Sequence, residues 1–241
     1  MTVKLKSILR QTPWSLVLKT AIAGLIWLLL PEWIFLLYVL WLYFIPPFRS
    51  ITFLLFFLLY LTSTILLPAT LISALVLAAL LFLILGIKDL LLIDRISAMT
   101  VLTFSLTLLV ALEFFYSFGN NALQESWLGV ILLGLITFGL LLVFFRSLGS
   151  VGQLGKALPQ IGPQLISGLL ALIFTQLAWA LLFLPLNFLD QTALWFLTAV
   201  IATELGADYL KLRLNRQTIF TNFAIFLVFG VIILATNQWS L

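Results

Sequence analysis

Three glycines and a lysine stand together in RSLGSVGQLGK, residues 146–156, a composition that could cradle a phosphate with backbone N–H groups. A P-loop needs G-x-x-x-x-G-K-[ST] after a strand and at the opening of a helix. Counting back from Gly155-Lys156, the place of the first glycine is held by Ser150, and Ala157 follows the lysine. The residues before it, ILLGLITFGLLLVFF, read as an apolar helix. Glycines at 149, 152 and 155 do not make G-x-G-x-x-G either, so no nucleotide is expected. The stretch reads as a connection in which Gly152 and Gly155 stop one helix and Pro163 opens the next. Arg146 and Lys156 are its candidate contacts for lipid headgroup phosphates.

Three ionisable residues fall inside long apolar runs, where charge is costly and function is suspected: Lys19, Glu113 and Glu204. Glu204 with Asp208 at i+4 places two carboxylates on one helix face, an arrangement suited to coupling a proton or cation. Lys19 either snorkels to the interface or pairs with Glu204, which lies at a matching depth. Glu113, followed by Phe114, Phe115 and Tyr116, reads as an interfacial acid that could hold a cation or an amine. Gln176 is the most central amide, a helix-packing keystone or a substrate contact. The run KDLLLIDR sets Asp89 and Asp94 beside cations, and with Asp208 these acids could serve lipid-phosphate chemistry, although such chemistry wants a tighter cluster. Thr100, Thr103 and Thr107 form one hydroxyl stripe; Ala199, Thr203 and Ala207 form a small-residue line; both read as helix-packing faces. Histidine and cysteine are absent from the chain. That excludes Ser-His and Cys-His catalysis, histidine-ligated haem and disulfides, and no metal or other cofactor is expected.

The elements that must position these groups are set by composition. Of 241 residues, 64% are hydrophobic and 8% charged, with a mean hydropathy of +1.27. Soluble domains carry about 25% charged residues, so this chain has too few polar groups to cover a water-facing surface. Lipid is its expected solvent, and its net charge of +4 is expected to serve topology rather than nucleic acid.

Apolar runs punctuated by Pro, Gly, Asn and charge predict nine spans, near 14–30, 32–47, 51–67, 69–87, 96–117, 127–145, 164–184, 189–207 and 218–236. With the N-terminus in the cytoplasm, the inner turns carry Arg49, Lys88, Arg95, Arg146, Lys156, Lys211, Arg213 and Arg216, and the outer turns carry no Lys or Arg. Dropping the short second span would put Arg49 outside and invert every later turn. Trp33, Trp127, Trp195 and Trp239 are expected at the outer boundary and Trp14 at the inner one. The N-terminal run lacks a small-x-small cleavage signal and reads as an uncleaved anchor. Residues 86–95 resemble residues 206–216, a faint internal repeat of an inward helical turn.

The expected fold is therefore an all-α polytopic transmembrane bundle of about nine spans, residues 1–241 in one integral-membrane domain, N-terminus cytoplasmic and C-terminus outside. The expected role is a non-catalytic subunit or scaffold whose partners are membrane lipids and other membrane subunits. A small transporter using Glu204, and a lipid-modifying enzyme at the inner interface, are the alternatives. The lack of any Asn-x-Ser/Thr acceptor leans toward a bacterial inner membrane.

Overall fold

The computed structural model describes residues 14–45, 51–89, 94–118, 123–150 and 162–236. Within them every regular element is a helix, as lipid demands: a helix bonds its backbone groups internally, whereas an open strand cannot. The helices are α1 (Trp14–Leu29), α2 (Glu32–Phe44), α3 (Leu54–Leu66), α4 (Leu71–Lys88), α5 (Arg95–Phe118), α6 (Leu123–Ser150), α7 (Gly162–Leu182), α8 (Phe188–Leu210) and α9 (Arg216–Thr236).

By length and composition, α4 to α9 are the six helices able to cross a membrane. The other three are shorter. At 1.5 Å per residue, α1 spans about 24 Å and α2 and α3 about 20 Å, against a hydrocarbon core of about 30 Å. Helix α6 is the longest at 28 residues, and it runs on through Arg146–Ser150, the first half of the glycine-rich stretch.

Three helix starts are made by short polar side chains, two of them shortly after a proline and one before an arginine. Thr70 caps α4, its Oγ1 accepting from Ser73 N at 3.2 Å, and Asn187 caps α8, its Oδ1 accepting from Asp190 N at 2.8 Å. Asp94 opens α5 by accepting from the N–H (3.1 Å) and the hydroxyl (2.7 Å) of Ser97. These two bonds to the charged form hold the Asp94 carboxyl below its ordinary range.

The chain packs as two compact units, Met1–Leu102 and Thr103–Leu241. In the first, α1 lies against α4 and α2, and α3 lies against α4. Gly24 lets α1 approach closely: a Cβ there would sit 3.1 Å from Ala74 O and 3.3 Å from Ala78 Cβ. The core is aromatic, with Phe35, Tyr43, Phe56, Phe57 and Tyr60 all buried. In the second unit, α6, α7, α8 and α9 pack in sequence. Helix α5 joins them through Phe104 against Phe196 and Tyr116 against Phe188, with ring centroids 6.4 and 5.4 Å apart. Trp195 is fully buried; its indole N–H donates to Phe174 O at 2.9 Å, which removes its need for water. Trp14, Trp33 and Trp127 are exposed.

Candidate functional site

The one ion pair among the described residues lies at the end of α4. Eighteen residues of helix finish on Lys88, a cation in the last turn, where the helix dipole favours positive charge. The Asp89 N–H closes the helix on Leu85 O at 2.8 Å, and its carboxylate turns back to the lysine. Lys88 Nζ stands 2.8 Å from Asp89 Oδ1 and 5.4 Å from the centre of the Tyr43 ring. The first contact is ionic rather than aligned, since Asp89 Oδ1 makes no well-directed hydrogen bond. The second is a cation–π contact on a desolvated face. Behind Tyr43 the rings continue: Phe57 stacks on it at 3.8 Å and 10°, and Tyr60 follows Phe57 at 6.4 Å.

Lys88 is fully buried and the Asp89 side chain is 15% exposed, so the pair is a charge pair held among aromatic rings. Such a pair can order the end of a bundle. Among the described residues no three acids come together to hold a metal ion.

The residues singled out from sequence lie elsewhere, and the structure does not gather them into one place. Lys19 is exposed on α1, and its backbone carbonyl accepts from Tyr38 Oη at 3.2 Å. Glu204 is exposed on α8, with Asp208 half-buried one turn later. Glu113 is half-buried and accepts from Ser117 Oγ at 3.1 Å, within its own helix. Gln176 is exposed. Arg146 is exposed near the end of α6, and Lys156 lies outside the described residues. Thr100 bonds back to Ile96 O at 2.9 Å, whereas Thr103 and Thr107 are buried and Thr103 Oγ1 has no hydrogen-bond partner. Ala199, Thr203 and Ala207 are all buried, on the α8 face that also carries Trp195 and Leu210.

Two residues matter beyond what the sequence reading gives them: Lys88 reads there only as a turn cation, and Gln191 is not singled out at all. Lys88 resembles any cation at an inward turn, and only its place directly after an unbroken apolar helix hinted at burial. Gln191 is a buried amide of the second unit, at 3% exposure. Its Nε2 donates to Leu181 O at 3.0 Å and Leu184 O at 3.4 Å, capping the carbonyls that end α7. The signal for it was the preceding Pro185-Leu-Asn187, a tight turn that folds α8 back on α7. Compared with protein-family models, with curated proteins and with solved structures, the chain matches none.

Proposed function

We propose that this chain is a non-catalytic subunit or scaffold of a bacterial inner membrane, crossing it nine times with its N-terminus in the cytoplasm and its C-terminus outside. The observation that carries this reading is α9. Of its 21 residues only Asn222 and Gly230 are buried, while Phe220, Phe223, Phe229 and Val231 stand more than half exposed. A helix apolar on every side needs lipid or another membrane helix around it. The polar groups support the same reading, because they are spent on structure. Hydroxyls at Thr20, Ser63, Thr137, Ser167, Thr175 and Thr192 bond back to carbonyls of their own helices. Glu204, the best coupling group for a transporter, lies on the outward face of α8.

Native mass spectrometry after gentle extraction from the cell's own membrane tests this function. The expected result is a stoichiometric complex with another membrane protein. A lone monomer, together with a proton-linked flux in vesicles that Glu204→Gln abolishes, would replace the subunit reading with transport.

A further inference from the structure

Three cations, Lys211, Arg213 and Arg216, stand within six residues between α8 and α9, and none forms an ion pair among the described residues. The acids closest in sequence, Glu204 and Asp208, share a face of α8, and neither pairs with a cation among the described residues. The turn itself is a tight reversal. Leu212 N–H donates to Tyr209 O at 3.0 Å and Arg213 N–H to Asp208 O at 2.9 Å, the Schellman pattern that closes many helices. Its left-handed position is usually glycine, but here Leu212 holds it at φ 54. Leu212 is 67% exposed and Leu214 42%, so apolar side chains alternate with the cations along the turn.

Under this turn lies an apolar pocket of about 330 Å³ between α7, α8 and α9, lined by Leu170, Ala202, Leu205, Tyr209, Leu214 and Ile219. We propose that this corner binds an anionic phospholipid, its phosphate on Lys211, Arg213 and Arg216 and part of an acyl chain in the pocket beneath Leu214. The proposal rests on the reading above, in which this turn meets the cytoplasmic leaflet. Charge complementarity selects the occupant: among the described residues no acid forms an ion pair with these cations, and that leaflet carries negative headgroups. A free phosphate would use the cations and leave the carbon-lined pocket empty. An apolar partner helix would fill the pocket and leave the cations unpaired. A phospholipid satisfies both.

The test uses the full chain in bilayers of phosphatidylcholine mixed with phosphatidylglycerol, with native mass spectrometry counting the lipids retained. Phosphatidylglycerol should be retained over phosphatidylcholine. Neutralising all three cations to Gln should weaken its retention roughly a hundredfold, about fivefold per charge. Ala202→Phe, which fills the pocket and leaves the charges, should also weaken it, and added glycerol phosphate should not displace the lipid. Circular dichroism guards against misfolding, with Arg213→Gln alone as the milder variant. Equal retention of the two lipids, or unchanged retention in the neutralised variant, would overturn the proposal. So would an inert Ala202→Phe or displacement by glycerol phosphate, each of which describes a bare anion site. Carbonate extraction of the wild type separates the two levels. Loss from the membrane fraction would sink the membrane-subunit reading, whereas a retained protein without lipid preference would sink only this inference.

Discussion

An ammonium with no exposed surface, Lys88, is held by the carboxylate of the very next residue. Removing one member of a buried pair costs about 3–5 kcal/mol, while replacing both with neutral groups costs far less. Asp89→Asn should therefore destabilise the chain by about 3 kcal/mol in detergent unfolding, and adding Lys88→Met should restore most of that loss. Asp94 carries a pH prediction. Its carboxyl titrates below the ordinary 3.8 in the folded chain because Ser97 bonds the charged form. Its capping contribution is thus complete above the ordinary range and is lost as pH falls through the lowered value. Asp94→Ala should destabilise the chain at neutral pH, and its difference from wild type should fade in acid titrations monitored by helicity. Single residues were the least legible scale. Gln176 attracted attention by its central place in an apolar run, yet it faces outward, and Gln191 is the amide that the turn at Pro185 buries. Burial of one polar residue depends on helix rotation, which one-dimensional hydropathy does not encode.

Elements were far more legible. Each of the nine apolar runs is a helix, because Pro, Gly and charged residues interrupt apolar sequence where helices end. The main difference is α6, which continues past Arg146 into the glycine-rich stretch. A lone Gly149 does not break a helix that is already propagating. How helices approach one another was not legible, and it turns on particular glycines. At Gly134 of α6 an added Cβ would collide with Thr175 Oγ1 of α7, whose hydroxyl is tied to Ala171 O at 2.6 Å. Overpacking of this kind costs about 1–3 kcal/mol. Gly134→Ala should lower the midpoint of thermal unfolding, and Thr175→Ala, which removes the obstructing oxygen, should recover it in the double variant.

At the scale of the molecule, composition alone decides the solvent, and the outward faces agree: Leu165, Leu169 and Leu172 of α7 and Phe220 of α9 are exposed carbon. The number of crossings turns on α2 and α3, about 20 Å each, which cross fully if the bilayer thins around them or fold as a hairpin in one leaflet if it does not. Both arrangements leave every later turn on the same side, so only the turn between these two helices distinguishes them. Ile51 lies there, 89% exposed, in a chain with no cysteine of its own. The decisive measurement is labelling of Ile51→Cys with a membrane-impermeant maleimide, in intact cells and in inverted vesicles, beside Ala69→Cys as the outer reference. Nine crossings predict that Ile51→Cys reacts only in inverted vesicles and Ala69→Cys only in intact cells. No reaction of Ile51→Cys in inverted vesicles, with Ala69→Cys still reacting in intact cells, would contradict the account, reducing the chain to seven crossings with α2 and α3 as a hairpin whose tip is buried in the outer leaflet.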